Sequence, residues 1–188
     1  MEKMQIRGIA AASIPVFIKN KFGEEAFSQW LASLSTEART VYSDIVFSHK
    51  WYPVTSIFTE PVKKMCELFF NRDLKGSWEH GRFVAEQGVK GGVKLFFTIM
   101  SPHYLIGKAS LIMSTYYNSG SIEIPEEGKK HTVVRISGFT EMDRVIEYNI
   151  AGWMERALEI TGCREVKVEI TKSAAQQNTC TEYKVTWT

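Results

Sequence analysis

The 188-residue sequence predicts an α+β fold, with an N-terminal helical subdomain packed on a four-stranded antiparallel β-β-α-β-β unit. In the first two-thirds, apolar residues recur mostly at three- and four-residue spacings, which is typical of helices with one buried face. In the last third the period falls to two, most clearly over 164–172 and 179–187. The length suits a single domain, 1–188, with a mainly helical portion over 1–115 and the β-β-α-β-β portion over 116–188.

The helical portion is predicted to begin with short helices separated by capping and breaking residues. These helices cover residues 8–22, 24–34, 35–43, 54–70 and 73–91. Pro15 predicts either a kink or a restart near residue 14, and Gly23 predicts a stop. Ser35 and Asp73 are candidate N-caps, and Pro61 marks a kink or a true start. The tripeptide Trp51-Tyr52-Pro53 is predicted to be a break.

The β-rich portion is predicted from alternation and turn residues. Its predicted elements are a strand over 116–124 ended by 125–128, a strand over 131–137, an amphipathic helix over 141–160, and two final strands, 164–172 and 179–187. The charged residues of the helix, Glu147 among them, are predicted to face water. One polar face on each strand predicts an antiparallel sheet covered on one side.

Charge and hydropathy exclude several classes of function. The chain has 23 Lys and Arg residues against 21 Asp and Glu, which is not the basic surplus of a nucleic-acid-binding domain. No apolar run approaches the length of a transmembrane helix. Residues 1–8 lack the features of a secretory leader, so we expect a cytoplasmic protein.

Cysteine and histidine spacing gives no sign of a metal site or a catalytic constellation. The sequence lacks CxxC and HExxH motifs, and no paired carboxylates stand at catalytic spacing. Cys163 and Cys180 are predicted about 25 Å apart, too far for a disulfide, because the final hairpin separates them. We expect all three cysteines to be buried and inert. His80 and His103 are expected to be hydrogen-bonded or solvated, so an enzyme is the least favoured class.

Three stretches carry a resemblance to a known superfamily. They are RGIAAASIPVFIKNKFGEEAFSQWLASLS at 7–35, WYP at 51–53, and GRFVAEQGVKGGVKLFFTIMSPHYLIGKA at 81–109. They resemble a bacterial family of unknown function, largely myxobacterial. That family belongs to the superfamily of heme-nitric-oxide/oxygen-binding (H-NOX) domains, 4-vinyl-reductase-type ligand domains and TRAPP subunits. The resemblance implies an H-NOX-like layout.

The same resemblance implies that heme is not bound. In H-NOX domains a histidine ligates the heme iron, and it lies about a dozen residues before a Pro-containing stretch that resembles 101–108. The corresponding stretch of this chain, 86–92, contains no histidine. H-NOX domains also bind the heme propionates with a Tyr-x-Ser-x-Arg motif. The corresponding residues of this chain are Tyr117-Asn118-Ser119-Gly120-Ser121, with Ser121 in place of the arginine. We therefore expect no heme and no other cofactor, with His103 as the alternative ligand if the pocket were rebuilt.

An aromatic- and methionine-rich middle suggests a ligand site. In the related ligand domains, the space between the helices and the sheet holds an apolar molecule. The predicted ligand-binding residues are Trp78, Phe83, Phe96, Phe97, Met100, Tyr104, Met113 and Tyr117. The alternative is that these residues fill a core. The leading hypothesis is a heme-free sensory domain for a small apolar ligand, and the alternative is a homodimeric adaptor module with a filled core.

Overall fold

The computed structural model describes residues 3–88 and 101–188 and confirms the predicted α+β architecture. The helices are α1 Gly8–Ala11, α2 Ser13–Phe22, α3 Glu24–Ser33, α4 Thr36–Tyr42, a π-helical turn Thr55–Thr59, α5 Glu60–Phe69, α6 Lys75–Gly88, α7 Pro102–Gly107, α8 Ala109–Tyr116, α9 Arg144–Ile160 and a 3-10 turn Ala174–Gln176. The strands are β1 Gln5–Arg7, β2 Trp51–Pro53, β3 Ser121–Gly128, β4 His131–Ser137, β5 Lys167–Lys172 and β6 Thr181–Thr186.

The capping residues of the helical portion act as the sequence predicts. The chain restarts at Ser13, which leaves Pro15 in the first turn of α2, where its missing N–H is not needed. Gly23 ends α2 with a φ of 90°, a conformation that favours glycine. The Ser35 hydroxyl accepts a hydrogen bond from the Ala38 N–H, and Pro61 lies in the first turn of α5.

The predicted break at 51–53 is instead a strand. Trp51–Pro53 pairs antiparallel with Gln5–Arg7, with Ile6 opposite Tyr52. An isolated bridge then joins Ile6 to Tyr117, at the end of α8. Three residues are too few to display an alternating pattern, and the partner strand is remote in sequence. The prediction failed for these two reasons.

The main sheet has the order β3-β4-β6-β5, and every neighbouring pair is antiparallel. The first strand was predicted too early: residue 116 ends α8, and β3 runs over Ser121–Gly128. Pro125 does not end this strand, because it lies in an irregularity between Glu123 and Glu126. At such a bulge the backbone N–H that proline lacks is not required.

Helix α9 is buried between α6 and the sheet, and it reaches α6 through two glycines. A Cβ atom on Gly152 would lie 2.0 Å from the Trp78 carbonyl oxygen, and one on Gly81 would lie 2.0 Å from that of Asn149. Only glycine permits so close an approach of two helix backbones. The pairing of α6 with α9 fixes the position of the residues described below.

Burial corrects one prediction and confirms another. Glu147 was predicted to face water, yet it is completely buried, because its side chain points to the loop between β5 and β6. The cysteines are free and buried, as predicted. Burial raises the pKa of the Cys66 thiol to about 11, which keeps it protonated and unreactive at neutral pH. None of the described helices is long and apolar enough to cross a membrane.

Candidate functional site

A cavity of about 100 Å³ lies between α1, α6, α7, α8 and α9 on one side and the inner face of the sheet on the other. Most of its described lining is aliphatic, as in Val84, Leu105, Ile106, Val134, Ile150 and Leu158. The sheet contributes alternate residues of β4, together with Ile122 of β3 and Val185 of β6, as expected where one face of a sheet is buried. No charged side chain is among the lining residues that the structure describes.

Two of the eight predicted ligand-binding residues, Met113 and Tyr117, line this cavity. Trp78 and Phe83 do not. The Trp78 indole donates to the Glu155 carboxylate, with 2.8 Å between Nε1 and Oε2, and the Phe83 ring lies 5.4 Å from that of Phe17. Tyr104 is 53% exposed on α7 and also lies outside the lining. Phe96, Phe97 and Met100 fall outside the described residues.

The residues of the cavity wall that α9 supplies were not among the predicted ligand-binding residues. Asn149, Ile150, Trp153, Met154, Ala157 and Leu158 all line the cavity. Five of these six are apolar, and they recur at helical spacings. The helical spacing of the apolar residues therefore identified the buried face of α9 correctly. It could not show that this face borders a cavity, which depends on the packing of α8 and the sheet against it.

A chain of hydrogen bonds runs from the cavity wall into the helical portion. Asn149 Nδ2 lies 3.1 Å from the Ser77 carbonyl oxygen and 2.9 Å from Nδ1 of His80. His80 Nε2 lies 2.8 Å from the Ser13 hydroxyl, which donates in turn to the Ala10 carbonyl oxygen at 2.6 Å. Both ends of this chain, Asn149 and Ala10, line the cavity.

These partners determine the protonation of His80. The Ser77 carbonyl can only accept, so the amide nitrogen of Asn149 must face it, and the same amino group donates to His80 Nδ1. The ring therefore carries its proton on Nε2 and donates it to Ser13. Complete burial lowers the pKa of His80 to about 3, so the ring is neutral. The expectation of a hydrogen-bonded histidine is confirmed.

The tyrosines at the cavity are neutral as well. Burial raises the pKa of Tyr116 and of Tyr117 above the ordinary range for a phenol. Both side chains therefore carry their hydroxyl protons at neutral pH. The described wall offers hydrogen-bonding groups but no formal charge.

A second, polar pocket of about 290 Å³ shares Met113, Tyr117 and Ile122 with the cavity. Its other described lining residues are Ser110, Ser114, Asn118, Ser119, Gly120 and Ser121. The Ser119 hydroxyl is buried and has no hydrogen-bond partner among the described residues. The segment 117–121, which resembles the propionate clamp, thus borders a pocket whose described lining contains hydroxyls and no arginine.

Comparison with known proteins identifies the fold. No protein-family model and no curated protein sequence matches the chain. Among solved structures, the Fe(II) unliganded H-NOX protein from K. algicida matches with a TM-score of 0.73 at 12% identity, over 97% of this chain and 96% of that chain. The H-NOX protein from S. oneidensis in the Fe(II)NO ligation state matches with a TM-score of 0.75 at 10% identity, over 97% and 99%. The chain has the H-NOX fold.

A third H-NOX structure, the IWP-051-bound protein from Shewanella woodyi, matches with a TM-score of 0.69 at 13% identity, over 95% and 93% of the two chains. Identities this low establish the fold alone. The predicted H-NOX-like layout is therefore confirmed, whereas the link to a bacterial family of unknown function stays a prediction.

The H-NOX fold implies heme, and the histidines of this chain do not fit its ligation. His80 is held by Ser13 and Asn149 behind the wall. His49, His103 and His131 do not line the cavity, and His103 is exposed and lies 2.6 Å from Glu127. An apolar cavity of about 150 Å³ binds a molecule of the size of benzene, so the described apolar cavity of about 100 Å³ does not by itself hold a porphyrin.

Proposed function

We propose that this chain is a heme-free ligand-binding domain that holds a small apolar molecule between its helices and its sheet. The observation that carries the proposal is the cavity itself, which is almost wholly apolar in its described lining and lies in the interior of the H-NOX fold. Apolar cavities of this kind stay dry and bind apolar molecules, because water cannot satisfy its hydrogen bonds there.

A sensory role follows from how the cavity is built. Its walls come from both portions of the chain, so an occupant contacts α1, α6 and α9 together with β4. A ligand that binds one arrangement of these elements more tightly than another shifts the population toward it. The surface that a partner protein meets would then change with occupancy. Related folds have been solved in Fe(II)NO and Fe(II)CO ligation states, which supports ligand sensing as a use of this fold.

The proposed domain is not an enzyme. No carboxylate, lysine or arginine is among the described residues that line the cavity. His80, which is hydrogen-bonded to Asn149 at the cavity wall, keeps its neutral form because burial lowers its pKa to about 3. A general base needs a pKa near the working pH and access to the reacting proton. The buried His80 does not meet these two conditions.

The test begins with native mass spectrometry and an absorbance spectrum from about 300 to 700 nm on the freshly purified chain. We expect a colourless protein, with or without a bound organic molecule, and no Soret band that stays with the protein after incubation with hemin and removal of the free hemin. A stoichiometric heme mass with a Soret band would disprove the heme-free proposal. Binding is then measured by calorimetry with toluene, a probe of the size that such a cavity holds.

Matched variants locate the binding. Ala157 lines the cavity, whereas Ala151, on the same helix, is buried outside the lining. Ala157→Leu should fill the cavity, weaken toluene binding at least tenfold and leave stability within about 1 kcal/mol. Ala151→Leu should overpack a dense core and lose about 1–3 kcal/mol of unfolding free energy. Equal toluene affinity in Ala157→Leu and the parent would place the ligand elsewhere.

Two observations favour the alternative of a homodimeric adaptor with no ligand. The cavity is smaller than the roughly 300–1,000 Å³ of most ligand sites. In addition, Ile9, Ile45 and Phe47 are large apolar residues that are exposed. Analytical ultracentrifugation distinguishes the two proposals. A stable dimer that binds no toluene would favour the adaptor, and a monomer that binds toluene would favour the ligand-binding domain.

A further inference from the structure

We infer that strand β5 is a dimerisation surface, on which β5 of a second copy of this chain pairs antiparallel about Val168. The pairing joins two four-stranded sheets into one continuous sheet. The inference goes beyond the proposed function and does not rest on it, because the described lining of the cavity contains no residue of β5.

Strand β5 is an edge of the main sheet. The order β3-β4-β6-β5 makes β3 the other edge. That edge is interrupted by the bulge at Pro125 and contacted by α8, whose Ser110 hydroxyl donates to the Ile122 carbonyl oxygen at 3.3 Å. The backbone of β5 pairs with β6 and makes no other hydrogen bond within the described part of the chain. Its unpaired N–H and C=O groups can therefore pair with a strand from another molecule.

Two charged side chains of β5 have no ion-pair partner among the described residues. Lys167 and Glu169 are exposed on the outer face of the sheet. Lys184 lies opposite Glu169 on β6 but forms no ion pair with it. The neighbouring carboxylate of Glu182, in contrast, lies 2.9 Å from the Arg135 guanidinium. Lysine alone on an edge strand repels a second copy, whereas lysine and glutamate together can attract it.

The spacing of these charges selects one register. When a sheet continues through a two-fold axis, the axis passes through a residue, because residues that pair lie on the same face. With the axis at Val168, Lys167 of each copy lies opposite Glu169 of the other. With the axis at Lys167 or Glu169, like charges face each other. An axis at Ile170 would include the irregularity between Ile170 and Lys172.

The inner face of β5 supports the same register. Val166, Val168 and Ile170 form an apolar row on this face, and Val168 and Ile170 are only partly buried in the single chain. Pairing about Val168 places this residue opposite its own copy, and it places Val166 opposite Ile170. β-Branched residues that lie opposite one another stabilise a sheet. The outer face is thus matched in charge and the inner face in hydrophobicity.

Sedimentation equilibrium of the full chain tests the pairing. Pairing over residues 166–170 forms a small interface, so we expect a reversible dimer whose fraction rises with protein concentration. A chain that stays monomeric up to about 1 mM would overturn the inference. Toluene binding is measured separately and concerns the cavity alone, so the failure of one proposal does not imply the failure of the other.

An exchange of charges tests the complementarity. Lys167→Glu brings carboxylates opposite carboxylates in the dimer, and Glu169→Lys brings ammonium groups opposite ammonium groups. Each variant should raise the dimer Kd by about tenfold or more. An equimolar mixture of the two pairs unlike charges again, so it should form a heterodimer with the affinity of the parent chain. Lys129→Glu, which makes the same change of charge in the exposed turn between β3 and β4, should keep the parent Kd.

Two outcomes of this exchange would overturn the inference. One is a mixture that stays as weakly associated as the separate variants. The other is an equal rise of the dimer Kd in Lys129→Glu, which would reflect the net charge of the chain rather than the pairing of β5. Circular dichroism confirms that each variant is folded.

Cysteine variants test the register. Val168→Cys places a thiol at the axis, opposite its own copy, so mild oxidation should give a disulfide-linked dimer. Ile170→Cys is the matched control on the same face, because its thiol stands about 13 Å along the strand from its copy, beyond disulfide reach. The three native cysteines are buried. Cross-linking of Ile170→Cys as fast as that of Val168→Cys would overturn the pairing about Val168.

Discussion

A Cβ atom placed on Gly81 would lie 2.0 Å from the backbone carbonyl oxygen of Asn149, so α6 and α9 meet with no room for a side chain between them. This contact positions the two helices that hold His80 and the Asn149 amide. The hydrogen-bond chain at the cavity wall depends on it, because its donor and acceptor come from opposite sides of the same helix pair.

The first prediction concerns this helix contact. Gly81→Ala should lower the free energy of unfolding by about 2–3 kcal/mol, since the methyl group must push two backbones apart. Gly88→Ala is the matched control, because a Cβ there meets nothing within 4 Å and alanine favours the helix by up to about 1 kcal/mol. Urea unfolding measures both variants. Similar stabilities for the two would mean that the helices separate easily.

The second prediction concerns pH. Burial lowers the pKa of His80 to about 3 in the folded chain, whereas histidine in an unfolded chain titrates near 6.5. Between these values the unfolded chain binds a proton that the folded chain does not. The unfolding free energy should therefore be highest above pH 6.5 and fall as the pH drops toward 3, by at most about 1.4 kcal/mol per pH unit from this residue.

A pair of histidine variants isolates that contribution. His80→Gln should flatten the pH dependence of the urea midpoint between pH 6.5 and 4, although it also costs stability at neutral pH. His49→Gln, at an exposed position, should retain the slope of the parent chain. If His80→Gln and the parent chain show parallel pH profiles, the buried neutral state of His80 is refuted.

The third prediction concerns the buried carboxylate of Glu147. It accepts hydrogen bonds from the hydroxyls of Ser173 and Thr181, each at 2.7 Å, and from the Ala175 N–H at 3.3 Å. Glu147→Gln should cost about 2–4 kcal/mol of unfolding free energy, because the amide nitrogen would face donors. Glu169→Gln, exposed on β5, should stay within about 0.5 kcal/mol of the parent chain. A Glu147→Gln variant as stable as this control would contradict the role of Glu147 in fixing the loop.

Local sequence signals predicted much of the architecture. The β4 range His131–Ser137 agrees with the predicted strand to the residue, and the inward face of β6, with Tyr183 and Val185 buried, follows its alternation. Ser35 and Gly23 act as predicted because capping and left-handed turns are set by the chemistry of one residue. Strand β3 was misplaced because the bulge at Pro125 cannot be read from a local pattern.

The candidate site was predicted only in part, for a physical reason. Periodicity predicts that Trp78 and Phe83 face inward from α6, but it cannot show that Glu155 and Phe17 are the residues they contact. It gave no sign that Asn149, a polar residue on an apolar face, stands at a cavity wall. Periodicity also did not distinguish the buried Glu147 from the solvated charged residues near it, because all of them lie on one charged stretch of the helix.

The sequence by itself determined the α+β class, the order of most elements, and the buried faces of α9 and the final hairpin. These features depend on near neighbours along the chain, where spacing and side-chain chemistry act directly. The tertiary structure decided which buried residues surround empty space and which polar groups pair across helices. Those outcomes depend on how distant elements pack at the scale of a few methylene groups, which no local pattern encodes.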